Sequence, residues 1–225
     1  MKKLTMLKLS FIAISLMLVV SCQSTTEVPQ VSQDGMQLKV NERSTIAYKK
    51  EGVDFSEYDN IQILPSQVAF KKNWQRDYNR SQPSLSARVK DEDVLRIKTG
   101  VAKLFDEIFK EEFGKTGDNP VVEKAGTGTL VIKPAIINLV VNAPDLQSAG
   151  RVTTYVKETG KATLFLELYD GVSGEILARI IDSEVVGDKM YIQWANRVTN
   201  TADAKRTIRK WAKALRAKLD QAQGK

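Results

Sequence analysis

Residues 161–169 alternate without a break: Ala162, Leu164, Leu166 and Leu168 fall on one side of an extended chain, and Thr163, Phe165, Glu167 and Tyr169 on the other. Successive side chains of a strand point to opposite faces, so this period calls for a sheet with one apolar face. The run Asp-Gly-Val-Ser-Gly at 170–174 supplies turn chemistry, and residues 175–186 can return as the paired strand. A lone hairpin is marginal in water, so its apolar face needs a second layer.

Two helical patterns can supply that layer. In residues 91–113 Val94, Leu95, Val101, Leu104, Phe105, Ile108 and Phe109 recur at three- and four-residue steps, and Asp91, Glu92 and Asp93 suit the positive end of a helix. A second helix is predicted from about 201 to 221, with Ile208, Trp211, Ala212, Leu215 and Leu219 as one stripe and Asn200 or Thr201 as its cap. Residues 59–70 read as the first core strand, interrupted at Pro65, and 71–86 as a polar loop or ribbon. Residues 129–141 read as a buried strand that Pro134 should break or bend, with a further short strand at 151–156. The expected fold is α+β: a two-layer sandwich of a mostly antiparallel sheet of about four to five strands with two main helices on one face.

The first residues are of a different kind. Lys2, Lys3 and Lys8 precede an uncharged run at 9–20 that is shorter than the roughly 20 residues a bilayer span needs. A basic lead followed by a short apolar stretch is the pattern of a secretory signal peptide. Val19, Val20 and Ser21 before Cys22 resemble a bacterial lipobox, where the thiol takes up a diacylglyceryl group and the chain is cut just before it. Cys22 is the single cysteine, with no internal partner for a disulfide. One acyl chain binds a membrane only marginally, so the two or three carried by such a cysteine are needed for a lasting anchor. Gln23, in place of an aspartate, points to sorting to the outer membrane, facing the periplasm. The expected organisation is a leader over 1–21, a lipidated flexible tether over 22–40, and one periplasmic domain over 41–225.

The chain carries 34 basic and 27 acidic residues. Much of the excess sits near the end: Lys205, Arg206, Arg209, Lys210, Lys213, Arg216, Lys218 and Lys225 stand against Asp203 and Asp220. Such a run is either a solvated helix face or a face for anionic headgroups or an acidic partner. No nucleic-acid-binding signature accompanies it.

Histidine is absent. With the sole cysteine committed to lipid, Ser-His-Asp and Cys-His catalysis and the usual zinc sites are excluded, and no cofactor or metal motif is found. Gly126 and Gly128 lead into a strand and lack the third glycine of a dinucleotide fingerprint. The candidate surface is Lys71, Lys72, Trp74, Arg76, Tyr78 and Arg80, because aromatic and arginine side chains dominate binding hot spots. The alternative is that its aromatics fold back onto the core and leave basic tips in water. A second candidate comprises Arg151, Trp194, Asn196 and Arg197.

Several stretches resemble the bacterial lipoprotein family called domain of unknown function 3313: residues 48–58 (YKKEGVDFSEY), 68–80 (VAFKKNWQRDYNR), 134–137 (PAII), 143–145 (APD), 148–151 (SAGR), 166–170 (LELYD), 176–179 (ILAR), 194–197 (WANR), and Asn200 with 211–212 (WA). The resemblance implies lipidation and an envelope location, and it supplies no catalytic residues. The function expected is that of a non-enzymatic envelope lipoprotein, held on the membrane through Cys22 and binding another envelope component, most simply a protein. The alternatives are a glycan- or lipid-binding carrier or sensor and, behind it, a carboxylate-dependent hydrolase.

Overall fold

The computed structural model describes residues 27–115, 119–146, 154–188 and 193–225. The leader, Cys22, Gln23 and Arg151 lie outside the described residues. The expected hairpin is present as Gly160–Asp170 and Ile176–Val186, paired antiparallel along its length. Thr129–Val141 lies beside it, antiparallel to the first of these strands.

Taken in chain order, the main-sheet strands are β1 (Gln37–Asn41), β2 (Thr45–Lys49), β3 (Asn60–Ile63), β4 (Gln67–Phe70), β5 (Thr129–Val141), β7 (Gly160–Asp170) and β8 (Ile176–Val186), while β6 (Thr154–Val156) and β9 (Gln193–Ala195) form a separate pair. Among the described residues the main sheet therefore has seven strands, in the order β1-β2-β8-β7-β5-β3 with β4 also on β5. That exceeds the expected four to five for two reasons. Part of the stretch expected as tether is a strand, since β1 begins at Gln37 and Met36 before it is 0% exposed. The single strand expected over 59–70 is two, parted around Pro65 and both parallel to β5.

Pro134 does not break β5; it pairs with Leu166 in continuous register. The carbonyl of Ile132 accepts from the Leu64 amide, so the backbone of every second residue, 134 included, faces the β3–β4 edge. Position 134 lies between the end of β3 and the start of β4, where no ladder partner waits for a proline that has no N–H to give.

The helices are α1 (Trp74–Arg80), α2 (Asp91–Phe113) and α3 (Arg197–Gln223). The predicted range of α2 matches its observed one. Asp93 Oδ2 accepts from the Lys90 amide at 3.0 Å and closes its first turn. The third helix starts before its predicted position: Asn196, and neither Asn200 nor Thr201, caps it, with Asn196 Oδ1 accepting from the Thr199 amide at 3.0 Å.

Both long helices cover the same sheet face, as the two-layer reading expects. Phe105, Phe109 and Phe113 of α2 and Ile208, Trp211, Leu215 and Leu219 of α3 pack with Leu130, Ile132, Leu164, Leu166 and Leu168 into one core. Each such side chain contributes about 1.5–3 kcal/mol on burial. The helices run side by side in the same sense and are clamped at their later turns. Arg209 of α3 donates to Glu112 (2.9 Å) and Glu111, and Arg216 donates to the carbonyl of Glu112 (2.9 Å). Lys115 adds a 2.6 Å bond to Glu112.

That Lys115 bond holds the Glu112 carboxyl below its ordinary value of 4.5, against the opposing effect of burial and with help from Arg209. A carboxylate with a lowered folded pKa stabilises the fold fully above the ordinary range, and the contribution is lost as pH falls through the folded value. Thermal melts of Glu112→Gln between pH 7 and about pH 3 should therefore show a shallower fall in Tm than the parent. Parallel curves would show that the clamp does not sense this proton.

Candidate ligand-binding cleft

The basic and aromatic run expected to be a loop or ribbon is helix α1, entered through Asn73 at φ 64°. Trp74 and Tyr78 are four residues apart and share one face. Trp74 is 6% exposed, stacks on Phe70 with ring centroids 4.1 Å apart, and donates Nε1–H to the Val141 carbonyl at 3.3 Å. Tyr78 is half-buried, and burial pushes its phenol pKa up. Asn79 exchanges two hydrogen bonds with the Val89 backbone, at 2.7 and 2.8 Å, and fixes the helix on the chain entering α2. The aromatics of this run are thus packing groups. Lys71, Lys72, Arg76 and Arg80 are exposed, and Arg76 pairs with Asp77 at 2.9 Å.

In the second candidate group, the Trp194 backbone belongs to β9 and Asn196 is the α3 cap. Arg197 lines the cleft between the two long helices. Four basic groups on α3 make ion pairs within the domain: Arg206 meets Asp203 at 3.0 Å, Arg209 meets the α2 acids, Lys210 meets Glu184 at 2.5 Å, and Arg216 meets Asp220 at 3.4 Å, while Lys205, Lys213 and Lys218 are exposed.

Away from the clamp, the early turns of α2 face the first half of α3. Between them, over the ends of β5 and β7, is a cleft of about 390 Å³. This lies within the size range of small-molecule sites. Its walls are mainly apolar, with Ile97, Val101 and Leu104 from α2, Leu139 and Val141 from β5, and Ile208 and Trp211 from α3 among them. Arg96, Asp145, Arg197 and Asn200 add polar groups. Arg96 is committed to the structure, bonding Asp93 at 2.6 Å and the Asp145 carbonyl at 2.7 Å. Arg197 is exposed and makes no ion pair among the described residues.

Small residues make the room. Gly100 lies inside α2, where glycine costs roughly 1 kcal/mol relative to alanine. A Cβ there would meet nothing within 4 Å, so no neighbour demands the glycine. On α3 the small residues Thr201, Ala204 and Thr207 line the cleft before Ile208 and Trp211 close it, and the same helix fills the core further along with Leu215 and Leu219. The sequence reading did not find this cleft. Its signal is the change from small to large residues along the inward stripe of α3, together with a glycine on the facing helix.

Asn200 sits in the wall and donates Nδ2–H to the Ala143 carbonyl at 2.8 Å, which fixes its amide orientation. Its Oδ1 is shielded and has no donor among the described residues. Among the described residues no group of three or more Cys, Asp or Glu is arranged to hold a metal ion.

These features define an α+β domain with a ligand-sized apolar cleft between its two long helices. Residues 31–215 match the family described as protein of unknown function (DUF3313), and the chain belongs to that family. No curated protein matches it in sequence. Among solved structures it is similar to a Xanthomonas campestris protein of family DUF330, at 8% identity and TM-score 0.40, over 73% of this chain and 85% of that one. It is also similar to the PelC dodecamer from Paraburkholderia phytofirmans, at 12% identity and TM-score 0.33, over 74% of this chain and 94% of that one. Likenesses this distant assign neither a function nor an assembly.

Proposed function

We propose that this is a lipid-anchored protein of the bacterial cell envelope, tethered through Cys22, whose domain is non-enzymatic and holds an elongated apolar or amphipathic molecule in the α2–α3 cleft. The lipobox, with Gln23 after it, supports an outer-membrane location. The cleft carries the binding half of the reading. A protein partner gripping Trp74 and Tyr78 is disfavoured, because the Trp74 ring is buried against Phe70 and Tyr78 is half-buried beside it. A glycan is disfavoured as well. Sugars need an open aromatic face and several free polar groups, while Trp211 is 3% exposed and its N–H is taken by Asp182 at 2.7 Å.

The test uses protein made without residues 1–26 and the fluorescent probe N-phenyl-1-naphthylamine. Saturable binding is expected, displaced by long-chain amphiphiles. Gly100→Leu extends a side chain into the cleft and should weaken binding at least tenfold while leaving the melting temperature unchanged or raised. Probe binding that does not saturate, or is indifferent to Gly100→Leu, would sink the proposal.

A further inference from the structure

We infer that the helix-free face of the sheet is the one turned to the membrane, so that the cleft opens on the far side of the domain. This rests on the proposed lipidation of Cys22. The argument begins with where the N-terminal segment lies. Asp182 faces the helix layer, where it accepts from Trp211, and Thr45 on the neighbouring strand bonds the same carboxylate at 2.6 Å. By strand alternation Tyr48 and Arg179 project from the opposite face.

Both of those side chains hold the N-terminal segment. Tyr48 Oη donates to the Pro29 carbonyl at 2.9 Å, and Arg179 Nη2 donates to Asp34 at 2.5 Å while also bonding Glu167 at 2.7 Å. The Leu38 amide donates to the Gln30 carbonyl at 2.9 Å, adding the segment to the sheet edge beside β1. The chain therefore leaves the domain from the helix-free face and its β1 edge.

The connection from there to the lipid is short. From Glu27 back to Cys22 there are five residue steps, which span at most roughly 18 Å even when fully extended. A domain of this length has a radius of gyration of about 16 Å, so such a leash cannot pass around it and bring the helix layer down onto the bilayer.

The surface chemistry agrees. Cross-strand neighbours Ile46, Ile181, Phe165 and Ala135 form a half-buried apolar row on this face, with Ile137 beside Thr163 in the next row. Exposed Lys133 and Lys161 flank the rows in loose ion pairs, at 3.9 and 3.8 Å, and Lys133 also lies over the Tyr169 ring at 5.6 Å. Apolar stems and lysine tips suit a layer of anionic headgroups. The occupant of the cleft then arrives from the aqueous side rather than from the anchoring leaflet.

The test uses full-length lipidated protein in vesicles of phosphatidylethanolamine and phosphatidylglycerol carrying an acceptor fluorophore on the headgroups. Because Cys22 would be blocked by lipid, a donor can be placed through Val185→Cys on the sheet face or Lys205→Cys on α3. Energy transfer to the headgroups should be at least twofold stronger from position 185, and a long Gly/Ser insertion ahead of Glu27 should erase the difference. Equal transfer, or stronger transfer from position 205, in protein that floats with the vesicles would overturn the orientation alone. Protein that does not float at all would remove the anchor, and the orientation with it.

Discussion

Gly160→Ala should unfold this domain at a much lower temperature, a loss of about 3 kcal/mol or more. At 2–4 °C per kcal/mol for a chain of this size, Tm should fall by roughly 10 °C. The cause is a close approach of two backbones. Asn138, at φ 52°, marks a bulge where the β5–β7 register shifts between Ile137 and Val140. The displaced backbone of β5 then crosses Gly160 so closely that a Cβ there would land on the Val140 carbonyl oxygen. That atom is main chain in a paired strand, so relief requires the strands to part. Gly100→Ala is the matched control: it lines the same cleft, meets nothing, and should be neutral or stabilising by up to about 1 kcal/mol. If the two alanine variants melt alike, the bulge is not the rigid device described.

Where one side-chain period ran long enough, the sequence was readable. Helix α2 and the β7–β8 hairpin lie where their patterns place them, because each offers several consecutive apolar repeats and a stop signal such as Gly114 or the 170–174 turn. Helix α1 falls inside the stretch whose pattern gives a polar loop or ribbon, because only Trp74 and Tyr78 mark its inner face, and two residues four apart do not make a stripe. Strand β1 was hidden for a similar reason: it is five residues long and follows a polar stretch, and its burial depends on β2 and the hairpin beyond it.

The missed start of α3 and the missed cleft have one cause. Reading a helix from large apolar residues begins it too late when its first turns carry Thr201, Ala204 and Thr207 on the inner side. Those small residues do not fill the space opposite Gly100, and the unfilled space is the candidate site. The family resemblance was readable from scattered stretches, but nothing in it points to that space.

Trp211→Ala is expected to match Gly160→Ala in size by a different route. The indole is 3% exposed within the core, and truncating such a side chain costs about 3–5 kcal/mol in lost burial and residual cavity. It is also a tie between layers. Its N–H bonds Asp182 of β8, whose other oxygen accepts from Thr45 of β2, so one side chain links α3 to two strands. Trp211→Phe keeps one aromatic ring in the core and removes the bond to a charged acceptor together with part of the buried indole, which should cost about 1.5–3 kcal/mol. Urea melts that placed the two variants at equal stability would mean that the ring phenylalanine retains contributes nothing to the core.

The same variant separates fold from binding. Trp211 lines the cleft, so alanine enlarges it. Below its lowered midpoint, Trp211→Ala should still take up the naphthylamine probe, whereas Gly100→Leu keeps its stability and loses the probe. A cleft that served only as a packing defect would respond the other way: filling it would stabilise the domain without altering any saturable binding, and opening it further would do no more than lower the melting temperature.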